Sequence, residues 1–137
     1  MSIVIDSSVS LSWVFADETT PETETLLDLV RDEGGLVPSL WEYEVSNALL
    51  VAMRRGRLSQ ADAGRIMTLL RSINLRVVQT LLDMKQVFSL AHAHGLSVYD
   101  AAYLDLAISH DAPLATLDSA LAQAAATAGV EVLPHVS

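Results

Sequence analysis

Ser2-Ile3-Val4-Ile5-Asp6-Ser7-Ser8-Val9 is the stretch that decides the fold. Ile3, Val4 and Ile5 form a short unbroken apolar run of β-branched residues, the composition of a central strand covered on both faces. The run stops at a carboxylate. In an open parallel sheet, ligands bind outside the carboxyl ends of the strands, where successive loops diverge. Asp6 therefore stands where such a sheet keeps its chemistry, although Asp and Ser also favour helix caps and turns. Other acids converging on Asp6 decide between the two readings.

Working outward, short strands alternate with helices. Val9 to Phe15 is a strongly apolar short helix, followed by the loop Ala16-Asp17-Glu18-Thr19. Thr20-Pro21 opens a helix with proline at its first position, and Gly34-Gly35 stops it. Leu36-Val37-Pro38 is a second strand. Ser39 to Arg55 is the clearest helix, opened by Ser39-x-x-Glu42 in capping-box form, with Trp41, Val45, Ala48, Leu49 and Ala52 at helical spacing. After Gly56-Arg57-Leu58, Ser59-x-x-Asp62 starts another helix, whose apolar stripe is Ala63, Ile66, Met67, Leu70 and Ile73. Leu75 to Val78 is the third strand, and Leu82 to His94 is a helix ended by Gly95. Ser97 opens the next helix, to about His110. Leu114-Ala115-Thr116 is the fourth strand, Asp118 or Ser119 caps a helix ending at Gly129, and Val130 to Leu133 is the fifth strand. This order predicts one α/β domain over residues 1–137, a three-layer α/β/α sandwich around a central five-stranded parallel sheet.

Composition narrows the function classes. Half the residues are hydrophobic (51%) and mean hydropathy is +0.37, so some apolar surface is expected to face a partner or a second subunit. No apolar run reaches membrane-spanning length, no signal-like core is present, and cysteine is absent, which excludes disulfides and thiolate metal sites. The cytoplasm is the simplest location. A net charge of −9, with Lys85 and seven arginines, argues against general nucleic-acid affinity unless the acids gather around cations that invert the local field. The basic cluster Arg54-Arg55-Gly56-Arg57 reads as a complement to a helix C-terminus. The sequence holds no HExxH, P-loop, dinucleotide fingerprint or nucleophile elbow, and Ser7 and Ser8 have no evident histidine base.

Four carboxylates fall at strand ends or at helix starts facing that edge: Asp6, Glu44, Asp100 and Asp118. Each also has a plain structural role open to it, as a cap or a helix-start charge. Glu44 is preferred to Glu42, which the capping box occupies, and Asn47 at i+3 is placed to orient it. Asp105 is assigned to another face. Two carboxylates 4 Å apart repel by about 4 kcal/mol at an effective dielectric of 20, so four free anions together are untenable. A hard divalent cation such as Mg2+ or Mn2+, with its preference for oxygen ligands, removes the conflict and suits phosphodiester chemistry.

The segments Ile3-Val4-Ile5-Asp6-Ser7-Ser8-Val9, Pro38 to Leu49, Ser97-Val98-Tyr99-Asp100-Ala101-Ala102-Tyr103-Leu104 and Leu114-Ala115-Thr116-Leu117-Asp118 resemble the PIN domain, and within it the VapC toxins of VapBC toxin–antitoxin pairs. The resemblance covers nearly the whole chain. It implies a Mg2+- or Mn2+-dependent endoribonuclease, with Asp6, Glu44, Asp100 and Asp118 as the acidic quartet. Ser8, Asn47 and Thr116 are implied as polar support. A homodimer and a VapB-type antitoxin that covers the acidic cleft are implied as well, with RNA as substrate and no membrane partner. On this reading, a metal-activated water cleaves the RNA in line, leaving 5′-phosphate and 3′-hydroxyl ends. Trp13, Phe15, Leu40 and Trp41 are the candidate antitoxin contact, with core packing as their other explanation. The rival classes are a Mg-dependent phosphatase or receiver on a similar sheet, and a catalytically silent interaction module. A dehalogenase-type phosphatase wants a second aspartate two residues after the first, where Ser8 stands, and a receiver wants an acid pair and a late lysine.

Overall fold

The computed structural model describes residues 2–79 and 83–135. Five parallel strands lie in the order β3-β2-β1-β4-β5, where β1 is Ile3–Ile5, β2 Gly35–Pro38, β3 Leu75–Val78, β4 Leu114–Ala115 and β5 Val132–Leu133. The apolar run of β1 is fully buried at the centre of the sheet, with β2 on one side and β4 on the other. Chain order runs outward from β1 through β2 to β3, then returns across the sheet to β4 and β5. The direction therefore reverses between β1 and β4, the place where open parallel sheets bind ligands at their C-terminal ends.

Among the described residues, seven α-helices cover the sheet: α1 Ser7–Ser12, α2 Pro21–Glu33, α3 Leu40–Arg54, α4 Gln60–Ser72, α5 Met84–His94, α6 Val98–Ser109 and α7 Ser119–Thr127. Right-handed crossovers put α2, α3 and α4 on one face and α5, α6 and α7 on the other. The helix neighbours agree, since α3 packs on α1 and α4 while α6 packs on α5 and α7. Helix α6 also lies across β1, β2 and β4. Its buried set, Ala101, Tyr103, Leu104, Leu106 and Ala107, wraps most of its circumference, which suits a helix held in the interior. The α/β/α sandwich expected from the sequence is the observed one.

Several boundaries differ from the sequence reading. Helix α1 starts at Ser7 rather than Val9 because Asp6 is its N-cap, with the Val9 amide donating to Oδ1 at 3.1 Å. It ends at Ser12, leaving the Trp13 indole to donate to the Thr23 carbonyl at 2.8 Å. The loop after it contains a short 3-10 turn, Ala16–Glu18. The Ser39–Glu42 capping box does not form: Ser39 is already helical at φ −59, ψ −28, and its side chain makes no cap bond. Glu42 instead faces Arg71 at 4.0 Å on the surface. The expected caps at Thr20, Ser59, Ser97 and Asp118 are all present. Within α4, Met67 faces solvent while Ala63, Ile66 and Leu70 are buried. Asp83 caps α5, so the expected helix start at Leu82 lies outside the described residues.

The start of β2 is packed tightly enough to favour glycine. A Cβ on Gly35 would lie 2.5 Å from Leu75 Cδ2, 3.2 Å from Val30 Cγ1 and 3.3 Å from Ile5 Cγ1. Gly35 thereby lets α2 and β3 close on the central strand. Phe15 and Trp41 are core residues, and Trp13 and Leu40 pack half-buried against that core, which withdraws these four as an exposed docking surface. Large apolar side chains that do face solvent include Tyr43 (79% exposed), Met84, Phe88 and Tyr99. Arg57 lies over the Phe15 ring at 4.5 Å and pairs with Asp17 at 3.1 Å, so the basic cluster is partly neutralised.

Candidate active site

Asp6 closes β1 at the β1/β4 switch point with only 5% of its surface exposed. Three neutral donors hold its carboxylate. Ser8 Oγ donates to Oδ1 at 2.6 Å, the Val9 amide to Oδ1 at 3.1 Å, and Thr116 Oγ1 to Oδ2 at 2.5 Å. The two hydroxyls are fixed in turn by the chain after β4: the Leu117 amide donates to Ser8 Oγ and the Asp118 amide to Thr116 Oγ1, both at 3.0 Å. Asp6 therefore caps a helix and also anchors a network joining the ends of β1 and β4. The main chain of Asp6 is tied down too, since Ser10 Oγ donates to its carbonyl at 3.1 Å and accepts from the Trp41 indole at 2.8 Å.

The electrostatics around Asp6 favour a positive charge. Burial pushes the Asp6 carboxyl above the usual aspartate range; its hydrogen bonds oppose this, and the charge of Asp100 adds to it. Asp100, half-buried in the first turn of α6, is also raised, first by burial and then by the charge of Asp118. Among the described residues, Asp6, Glu44, Asp100 and Asp118 take part in no ion pair, whereas Asp17, Glu18, Asp28, Glu42 and Asp62 each face an arginine. These four therefore lack a basic partner, while Asp6 feels the charge of Asp100 and Asp100 that of Asp118.

Glu44, in the second turn of α3, is tied in by a residue the sequence reading left out of the site. Tyr103 is 1% exposed, and its hydroxyl donates to Glu44 Oε1 at 2.5 Å. Burial, the Glu44 carboxylate and the charge of Asp6 all push the phenol far above its ordinary range, with the Ser7 side chain opposing in part. Tyr103 thus feels the charges of both Glu44 and Asp6, as Asp6 feels Asp100 and Asp100 feels Asp118. Asn47, expected to orient Glu44, is exposed on α3 and makes no bond to it. Asp118 is exposed and caps α7 through Oδ1, to which the Leu121 amide donates at 3.0 Å. Asp105 accepts from Gln86 at 2.7 Å, away from this network.

The donors fit a hard divalent cation in type, all being oxygen, and in charge, being acids without a counter-ion. They do not form a preformed cage: among the described residues, no three acidic or histidine side chains converge closely enough to be read as one ion's ligand set. The rival phosphatase pattern finds no support at Ser8, whose hydroxyl serves the Asp6 carboxylate.

Comparison with known proteins agrees with this architecture. The PIN domain family matches residues 3–127. Ribonuclease VapC3 of Pyrobaculum aerophilum is 33% identical over 125 residues, spanning 90% of this chain and 94% of that protein. A solved structure from the same organism, PAE2754, superposes with a TM-score of 0.74 at 26% identity, covering 97% of this chain and 92% of that one. The VapBC2 complex of Rickettsia felis, solved with a promoter DNA fragment, contains a chain that matches with a TM-score of 0.70 at 12% identity, over 96% of this chain and 97% of that one; at that identity the likeness is one of fold. The family match over most of the length, the VapC relative and the parallel sheet with Asp6 at its switch point lead to one assignment: the chain belongs to the PIN-domain family, in its VapC-type branch.

Proposed function

We propose that this protein is the toxin of a type II toxin–antitoxin pair, an endoribonuclease that uses Mg2+ or Mn2+. The observation that carries the reading is a buried aspartate at the β1/β4 switch point with no counter-charge, its carboxyl disfavoured as an anion by burial and by the charge of Asp100. A site that leaves its acids so poorly neutralised suits a divalent cation and, through it, a polyanionic substrate. Asp6 and Asp118 would be the principal ligands, with Glu44 and Asp100 completing the site directly or through water. Bound there, the ion supplies charge neutralisation and a lowered pKa for a coordinated water, the requirements for hydrolysing an RNA phosphodiester.

The chain's own residues do the rest. Ser8, the Val9 amide and Thr116 hold the Asp6 carboxylate in a fixed orientation, and Tyr103 does the same for Glu44. Burial of Asp6 and Tyr103 keeps bulk water from screening the pocket. The relative named Ribonuclease VapC3 supports the activity, and the toxin–antitoxin complexes among the structural neighbours support an antitoxin partner. Exposed Tyr43, Met84, Phe88 and Tyr99 are apolar surface on which such a partner, or a second copy in a homodimer, would bury area. No helix among the described residues is long and apolar enough to cross a membrane, and the cytoplasm is the proposed location.

The test is cleavage of an RNA pool by purified protein with Mg2+, with Mn2+ and with a chelator. The reading expects metal-dependent cleavage that Asp6→Asn abolishes. A catalytically silent module predicts no cleavage under any of these conditions, and chelator-resistant cleavage that Asp6→Asn leaves intact would reject the assignment.

A further inference from the structure

Glu44 and Asp6 are held by different elements: Glu44 by α3, and Asp6 by β1 and α1. Nothing in the local structure of α3 fixes the Glu44 side chain, since Asn47 is exposed and makes no bond to it. The sole hydrogen bond to the Glu44 carboxylate among the described residues comes from α6, at Tyr103. That phenol is itself immobilised, being 1% exposed in the main core beside Leu104 and Ala107. Its bond uses Oε1, and no protein donor among the described residues reaches the other oxygen.

We propose that Tyr103 is a positioning residue of the acidic site, its buried hydroxyl fixing Glu44 Oε1 so that the other carboxylate oxygen stays available to a divalent cation. This inference rests on the metal-dependent reading above. It assigns Tyr103 the role that outer-shell partners commonly play for metal-binding carboxylates, whose removal typically weakens metal affinity about 10- to 100-fold. A tyrosine suits the task because its ring packs with the apolar core while only its tip is polar. It also explains how a site without a preformed cage keeps a ligand on α3 aligned, through one bond from α6.

The test is Mn2+ binding by calorimetry on the full chain, together with circular dichroism and thermal melting. Tyr103→Phe keeps the ring and removes the hydroxyl. The expected result is Mn2+ affinity about 10- to 100-fold weaker with the native spectrum retained. In a Glu44→Ala background, the same substitution should add no further loss, because no side-chain acceptor remains for the hydroxyl to act through. Unchanged affinity in Tyr103→Phe, with binding abolished in Asp6→Asn, overturns the positioning role and leaves the metal site standing. Unchanged affinity in both variants, or no binding by the wild type, overturns the metal reading and this inference with it. Should Tyr103→Phe fail to fold, Glu44→Asp retains the charge but withdraws the carboxylate from the hydroxyl. A comparable loss supports the proposal, and wild-type affinity overturns it.

Discussion

The Thr116 hydroxyl donates to Asp6 Oδ2 across 110 positions of sequence, and in the same position accepts from the Asp118 amide at 3.0 Å. One side chain thus joins the end of the first strand to the start of the last long helix, at the point where the sheet reverses direction. Thr116→Val keeps the shape and β-branching but leaves a buried carboxylate oxygen and an amide each short of a partner. A stability loss of about 1–3 kcal/mol follows from stranding such groups, together with reduced cleavage. Thr116→Ser should restore most of both. Urea unfolding and an RNA cleavage assay on the two variants check this.

Asp6→Asn separates activity from stability. Asparagine is a good helix N-cap, so α1 should keep its start. The substitution removes a charge that burial disfavours, so the metal-free variant should be at least as stable as the wild type while losing at least about 100-fold in cleavage. A variant that both cleaves normally and melts normally would remove Asp6 from the reaction.

The pH dependence of the metal-free protein carries the same signature. Asp6 and Asp100 both have carboxyl pKa values raised above the ordinary 3.8. Each binds more proton in the folded state than in the unfolded state between the unfolded and folded pKa, so unfolding releases protons there. Stability should therefore fall as pH rises from about 3.8 through the raised values, and stay lower above them. Denaturation midpoints measured across that range without metal should decline, Asp6→Asn should flatten the decline, and Mg2+ should raise the midpoint at neutral pH.

Gly35→Ala tests the closest approach in the fold. Its new Cβ would meet Leu75, Val30 and Ile5 at 2.5, 3.2 and 3.3 Å, from both neighbouring strands and from α2. Overpacking of this kind typically costs about 1–3 kcal/mol. The Leu75 end is a flexible tip on the edge strand and gives way most easily, so a loss toward the lower end is expected by urea unfolding.

The sheet and the position of Asp6 were legible because both follow from local rules: a buried β-branched run, then an acid at a strand end. Ser8 and Thr116 came only from the resemblance to the PIN domain, and both donate to the Asp6 carboxylate. Tyr103 was not legible. Its ring completes the apolar circumference of α6, and helical spacing cannot show that its hydroxyl meets Glu44, 59 positions away. The signal available was indirect, since a tyrosine buried among Leu104 and Ala107 needs a partner for its hydroxyl. Boundaries at Thr116 and Val130 were misplaced for a related reason. The Thr116 side chain turns toward Asp6, and the Val130 amide closes α7 by donating to the Ala125 carbonyl at 2.9 Å instead of extending β5.

Glu42 and Glu44 lie two positions apart on α3, and helical periodicity alone did not choose between them. The expected reason for setting Glu42 aside, a capping box with Ser39, is not what the structure contains. Glu42 instead faces Arg71 at 4.0 Å, with both side chains largely in solvent, an arrangement worth about 0–1 kcal/mol. Glu44 is half-buried and bonded to an interior phenol at 2.5 Å. Glu42→Gln should accordingly leave cleavage, metal affinity and melting temperature near wild type. Glu44→Gln preserves the acceptor for Tyr103 and the shape of the site but removes the negative charge, so it should cut metal-dependent cleavage by at least about 10-fold with the fold intact. Equal effects from the two substitutions in parallel cleavage and melting assays would mean that the half-buried carboxylate has no special place in the site.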